Sequence, residues 1–153
     1  MIIWVARIPE EGSRYEGDDP GSIMQVENES FIRNPGAVHY ELHAEQVSDE
    51  LVVRGTLAVP MDLQCSRCSE FFSTTVGVSD FLRVYSAPEG TDSVDITEDL
   101  REEILLQVPG FALCSDGCKG RCPQCGIDLN KGSCTCRREE GPSAWSALDG
   151  LNL

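Results

Sequence analysis

Eight cysteines in three tight clusters constrain this 153-residue chain more than any other feature. They read Cys65-Ser-Arg-Cys68, then Cys114-x3-Cys118-x3-Cys122-Pro-Gln-Cys125, then Cys134-Thr-Cys136. A structural zinc is tetrahedral and takes four protein ligands, with sulfur at about 2.3 Å, so eight thiolates suffice for two ions. A Cys-x2-Cys turn aims two sulfurs at one point. Gly126, just past such a turn, allows a positive φ, and Pro123 has a fixed φ suited to starting it. Asp128-Leu-Asn-Lys-Gly132 reads as a further turn, after which Cys134 and Cys136 supply a second pair. The spacing therefore groups Cys122, Cys125, Cys134 and Cys136 as one zinc site and leaves Cys65, Cys68, Cys114 and Cys118, by subtraction, as the other. That second grouping stays open, because Cys114 or Cys118 could replace a member of the first and leave Cys65 and Cys68 without metal.

Three other chemistries use cysteines at such spacing. A disulfide framework suits an oxidising compartment, but the segment from Met1 to Pro9 has no basic region, long apolar run or small-residue cleavage site, and a cytoplasmic setting is expected. A redox pair would find Arg67 beside Cys65 and Cys68 to lower a thiol pKa, yet no βαβ pattern surrounds that motif. Iron–sulfur clusters also take four thiolates. The Cys-Pro-x-Cys-Gly turn with its Cys-x-Cys return favours zinc.

The order of these motifs resembles the bacterial YceD family, the large ribosomal RNA subunit accumulation proteins. The residues that carry the resemblance are Cys65-x-Arg67-Cys68, an amphipathic acidic helix ending in Leu-Gln-Val-Pro109, Leu113-Cys114-x3-Cys118-Lys-Gly-x-Cys122-Pro-x-Cys125-Gly-x-x-Leu129-Asn130, and Cys134-x-Cys136. The likeness is densest over residues 60–136. Where the family usually has Leu-Glu after the first pair and Cys-Lys-Gly-Leu-Cys later, this chain has Ser69 and Arg121, and Pro142-Ser-Ala-Trp145 replaces the family's Pro-Arg before a leucine-rich helix. These departures keep the ligands and are expected to alter surface contacts alone. The resemblance implies a role in the accumulation or assembly of large-subunit ribosomal RNA, with pre-ribosomal RNA or a basic ribosomal or assembly protein as partner.

Charge narrows the partner. The formal net charge is −14, and the excess of carboxylates is spread over residues 1–113, whereas 114–138 hold five basic and two acidic side chains. A body so acidic repels phosphate, since nucleic-acid affinity is largely counterion release by Lys and Arg. Only Lys119, Arg121, Lys131, Arg137 and Arg138 could face RNA. Those cations have an equally good use in screening the metal sites, each of which carries about two net negative charges once four thiolates offset one divalent ion. No stretch approaches the roughly 18 consecutive apolar residues of a membrane span, and no small-molecule substrate is expected.

The expected fold is α+β in one domain: an antiparallel sheet or partial barrel over residues 1–113, a cysteine-rich zinc-knuckle segment over 114–138, and a tail over 139–153. Residues 2–8 read as an opening strand and Glu10–Gly21 as a loop, with a possible strand over Ile23–Val26. Val38, Tyr40, Leu42 and Ala44 alternate with His39, Glu41, His43 and Glu45, so residues 37–59 predict a hairpin turning at Ser48-Asp49 and closed by Pro60. Residues 71–78 and 81–86 continue the sheet, followed by a Pro/Gly loop over 87–93. A helix over 97–108, N-capped by Thr97, carries Ile96, Leu100, Ile104 and Leu105 near one face and stops at Pro109-Gly110. Residues 143–151 predict a short helix or a docking peptide built on Trp145, Leu148 and Leu151.

Nothing in the sequence calls for catalysis. The His39, Glu41, His43, Glu45 row is explained by alternation as a solvated strand face. The acidic cluster of Asp95, Glu98, Asp99, Glu102 and Glu103 reads as a helix surface. Closed all-cysteine sites leave zinc no position at which to activate water. The expectation is a non-enzymatic ribosome-assembly factor holding two zinc ions; a thiol-based redox sensor or zinc-dependent chaperone is the alternative.

Overall fold

Period-2 alternation is strongest between residues 38 and 63, and that stretch becomes the centre of an antiparallel sheet. The computed structural model describes residues 1–136. Its strands are β1 (Ile2–Ile3), β2 (Ser13–Asp19), β3 (Ile32–Arg33), β4 (Val38–Val47), β5 (Glu50–Gln64), β6 (Phe71–Ser86) and β7 (Val94–Asp95), followed by the helix α1 (Thr97–Gln107). β6 runs along one edge of β5 from Gln64↔Phe71 to Glu50↔Ser86. β4 takes the other edge as far as Ala58, and β3 takes over that edge at Asp62 and Leu63. β2 lies outside β4, and β1 pairs with β7 in a separate ribbon. Among the described strands β2 and β6 do not pair, so the sheet is open, an antiparallel sheet as expected and not a closed barrel.

One face of this sheet is the core. Val38, Leu42 and Ala44 of β4, Leu51, Val53, Leu57, Val59, Met61 and Leu63 of β5, and Val76, Val78 and Phe81 of β6 are buried there with Ile96, Leu100 and Ile104. A bulge keeps β6 in use along its length. Gly55 pairs with Phe81 but Leu57 with Val78, so Ser79 and Asp80 stand opposite the single residue Thr56. The extra residue moves the inward set from even numbers to odd, so the segments expected over 71–78 and 81–86 form one strand. Gly55 is required at this crossing, because a Cβ there would lie 2.0 Å from the Glu41 carbonyl oxygen.

The helix is fastened to β6 by polar contacts at the sheet's rim. Tyr85 donates to Asp99 Oδ2 at 2.9 Å, and Arg83 pairs with Glu103 at 2.8 Å. Its first turn differs from expectation: Ile96 occupies the N-cap position, and the Thr97 N–H is received by the Asp95 carboxylate at 3.0 Å, so Thr97 is the residue capped, not the cap.

Four further expectations are corrected. The opening strand over residues 2–8 is limited to Ile2–Ile3, followed by a 3-10 turn at Val5–Arg7. The expected loop over Glu10–Gly21 contains β2, whose Ser-Arg-Tyr-Glu-Gly-Asp-Asp sequence has no apolar alternation because it is an edge strand held by backbone pairing. The strand considered over Ile23–Val26 is a 3-10 turn at Gly21–Met24. Pro60 does not close β5. Its carbonyl receives the Gly36 N–H at 2.8 Å in the gap between β4 and β3, and its missing N–H faces the same gap, so no ladder bond is lost.

Candidate metal centres

The turn from β5 to β6 carries the first pair of cysteines. Cys65 to Glu70 closes on itself, with Ser69 N–H donating to the Cys65 carbonyl at 2.8 Å and Cys65 N–H to the Glu70 carbonyl at 2.8 Å. Ser69 takes a left-handed φ of 60°, where glycine would be usual. After α1 the chain returns to this turn: Ser66 N–H donates to the Ala112 carbonyl at 2.8 Å, which delivers Cys114 and Cys118. Cys65 Sγ then lies 3.8 Å from Cys118 Sγ, and Cys68 Sγ lies 3.8 Å from Cys114 Sγ.

The second group repeats the same turn. Gly126 N–H donates to the Cys122 carbonyl at 2.8 Å, and Gly126 has a φ of 72°, the conformation expected of it. Residues 120–122 and 127–129 pair as a short hairpin through Cys122 N–H to the Ile127 carbonyl and Leu129 N–H to the Gly120 carbonyl, both at 2.9 Å. Cys134 and Cys136 come back to the turn. The sulfurs thus fall into two sets, Cys65, Cys68, Cys114 and Cys118, and Cys122, Cys125, Cys134 and Cys136, each with all its Sγ atoms within 4.8 Å of one another.

These distances suit a cation at each centre. A tetrahedron with metal–sulfur bonds of about 2.3 Å has edges of about 3.8 Å, whereas a disulfide bond is about 2.05 Å. All eight cysteines are free. Burial raises the Cys65 thiol, but backbone N–H groups of Cys114, Cys68 and Arg67 more than offset it and bring it down to about 6. At Cys122 the N–H groups of Cys125 and Gln124 do the same, again to about 6. The partners move the other way. Cys68 is pushed up to about 12 against the pull of the Glu70 backbone, by burial and by its three neighbouring sulfurs, and Cys136 to about 12 chiefly through Cys125. Four thiols this close cannot all ionise against one another; a divalent cation at the centre removes that obstacle. The residues therefore fit zinc or a similar thiophilic ion, which would supply cross-linking charge and no open coordination position.

Two charged side chains knit these turns together, a role the spacing of cysteines does not reveal. Arg121 Nε donates to the Cys68 carbonyl at 2.6 Å, while its terminal nitrogens reach the Gly126 carbonyl at 3.3 Å and Glu70 at 3.1 Å. Arg67 reaches the carbonyls of Asp116 and Cys118 at 3.2 and 3.1 Å. Ser69 and Arg121, expected to bear on surface contacts only, are therefore structural parts of the centres. Of the other candidate RNA contacts, Lys131 is exposed and pairs with Glu70 at 3.3 Å, and Lys119 is exposed with no carboxylate partner among the described residues. Arg137, Arg138 and the expected tail helix lie outside the described residues.

The remaining polar clusters are placed on the sheet and helix surfaces. His39, Glu41, His43 and Glu45 line the face of β4 opposite the core, with Glu41 paired to Arg14 at 3.1 Å. In the acidic cluster, Asp99 and Glu103 are taken by Arg83, leaving Glu98 and Glu102 exposed. No helix among the described residues is long and apolar enough to cross a membrane.

An antiparallel sheet with a covering helix and two four-cysteine centres defines a small cysteine-clustered α+β protein. A family model described as "Large ribosomal RNA subunit accumulation protein YceD" matches residues 84–152, which takes in α1 and six of the cysteines but not Cys65 or Cys68. The chain is 33% identical over 147 residues to an uncharacterized protein of Mycobacterium tuberculosis (strain ATCC 25618 / H37Rv), covering 84% of this chain and 70% of that one. It is 36% identical over 64 residues to the Arabidopsis thaliana protein named large ribosomal RNA subunit accumulation protein YCED homolog 1, chloroplastic. That match covers 42% of this chain and spans only 20% of the plant protein. No solved structure matches. The chain belongs to the YceD family.

Proposed function

We propose that this chain is a non-catalytic, cytoplasmic factor, stabilised by two zinc ions, that supports the accumulation of large-subunit ribosomal RNA. The observation that carries the reading is the pair of closed four-cysteine centres on a chain of a family described by that role. The zinc ligands are Cys65, Cys68, Cys114 and Cys118 in one centre and Cys122, Cys125, Cys134 and Cys136 in the other. Closed thiolate sites hold chain segments together and offer no place to activate water. Charge divides the surface between partners: Glu98 and Glu102 lie exposed on the helix and attract a basic ribosomal or assembly protein, while Lys119 and Lys131 beside the cysteines, with Arg137 and Arg138 following in sequence, supply any direct RNA contact.

Cells lacking the gene are expected to accumulate less mature large-subunit RNA. The wild-type chain should restore it and Cys68→Ser should not. Full restoration by Cys68→Ser would remove the metal from the function. Exposure of Cys114, Cys125 and Cys136 favours a second reading, a thiol sensor that loses metal on oxidation. Zinc release and client-protein binding after mild peroxide support the sensor; retained metal together with co-sedimentation with large-subunit precursors supports the assembly factor.

A further inference from the structure

Asn130 stands between the two cysteine centres. By sequence it belongs to the loop joining Cys125 to Cys134, yet its Nδ2 donates to the sulfur of Cys118, a member of the other group, at 3.4 Å. The same Nδ2 donates to Asp128 Oδ1 at 2.8 Å, and Asn130 Oδ1 accepts the Lys119 backbone N–H at 2.8 Å. A carboxylate only accepts and a backbone N–H only donates, so these partners fix which end of the amide faces the sulfur. The turn under it is equally determined. Asn130 N–H returns to Asp128 Oδ1 at 2.9 Å, and the N–H groups of Lys131 and Gly132 share the Asp128 carbonyl at 3.1 Å.

We propose that Asn130 couples the two centres: the loop closed by Cys122, Cys125, Cys134 and Cys136 seats its amide on the Cys118 sulfur, so that metal in that centre tightens metal binding by Cys65, Cys68, Cys114 and Cys118. The inference rests on the metal reading given above. Its physical basis is twofold. A hydrogen bond donated to a ligand sulfur disperses thiolate charge and holds the ligand's direction, and loss of such outer contacts costs about 10- to 100-fold in metal affinity. The turn from Asp128 to Gly132 lies between Cys125 and Cys134, whose sulfurs a shared ion would pin, so the amide is best placed when that centre is filled. Arg121 also spans the centres, but it grips the carbonyls of Cys68 and Gly126 and touches no sulfur, so the direct link to a ligand runs through Asn130. Linkage makes the effect reciprocal.

The experiment buffers free zinc around the full chain and reads protection of Cys68 from alkylation by peptide mass spectrometry, alongside total zinc content. Asn130→Asp keeps the size and the acceptor for Lys119 but removes the donor; Asn130→Ala controls for the charge that Asp adds. Both variants are expected to need about tenfold more free zinc for half-protection of Cys68. Cys125→Ser should shift the curve as far, and the Cys125→Ser/Asn130→Ala double variant no further, because both changes remove one link. An unmoved Cys68 curve in Asn130→Ala, or shifts that multiply in the double variant, would overturn the coupling. If Cys125→Ser does not fold, the Asn130→Ala curve decides alone. A wild-type chain that takes up two zinc ions while the curves stay put refutes only the coupling; one that takes up none refutes the metal reading as well.

Discussion

Two glycines separate backbone strain from crowding at the cysteine turns. Gly120 and Gly126 both have a φ of 72°, but a Cβ on Gly126 would meet nothing within 4 Å, whereas on Gly120 it would lie 2.9 Å from the Arg67 carbonyl oxygen. Gly126→Ala should cost only the left-handed penalty, about 1 kcal/mol. Gly120→Ala must also push Arg67 away from its contacts with Asp116 and Cys118, and its cost should be about 2–3 kcal/mol. Ser69 presents the reverse case, a non-glycine residue at φ 60°, so Ser69→Gly should leave stability unchanged or raise it by up to about 1 kcal/mol. Denaturant midpoints of the three variants in the zinc-loaded protein test the ranking, and equal losses for the two alanines would mean that the Arg67 contact carries no energy.

At the scale of the element, the sequence was legible where one chemical pattern decided the outcome. Alternation placed the β4–β5 hairpin, and apolar spacing with Pro109-Gly110 placed α1. It was not legible where backbone pairing alone decides. β2 contains Tyr15 as its only large apolar side chain, and its strand character comes from seven register pairs with β4 that no local pattern announces. Pro60 misled for a related reason, since its effect depends on which edge its missing donor faces. Spacing picked out Cys122, Cys125, Cys134 and Cys136 but left the other four cysteines to subtraction, and the tertiary contacts of Asn130 and Arg121 were not legible, because they join residues on either side of α1 or of a turn to partners outside their own cluster. The α1–β6 contact gives this scale its prediction. Burial first, and then the hydrogen bond to Asp99, raises the Tyr85 pKa, so the folded state favours the protonated phenol. A group raised on folding stabilises fully below its unfolded pKa, about 10, and loses that contribution as pH climbs toward the folded value. Thermal midpoints should therefore fall more steeply above about pH 10 in the wild type than in Tyr85→Phe. Parallel profiles would show that the phenol does not link helix to sheet.

For the whole molecule, the two cysteine centres differ in what they join. The second draws all its sulfurs from Cys122 to Cys136, a segment of local turns with little apolar burial beyond Cys122 itself. The first brings the β5–β6 turn at Cys65 and Cys68 together with the segment that follows α1, so its metal would close a loop containing all of β6 and the helix. Cross-links over longer loops remove more freedom from the unfolded chain, and local metal turns draw their order mainly from the ion. Cys125→Ser should thus lose amide protection from Gly117 to Cys136 while the β4–β5 hairpin keeps its own, because Leu42, Val53 and Leu57 remain buried without it. Cys68→Ser should act more widely, raising exchange in the β5–β6 turn and after Pro109 and loosening α1 from β6, against which Arg83 and Tyr85 would be left as the main polar restraints. Hydrogen exchange by mass spectrometry on both variants, each with its zinc content measured, separates the two effects. Two zinc ions are expected in the wild type and one in each variant. If α1 and β6 keep wild-type protection in Cys68→Ser, the hydrophobic face of the sheet holds them unaided, and the first centre serves only to position the Cys114–Cys118 segment.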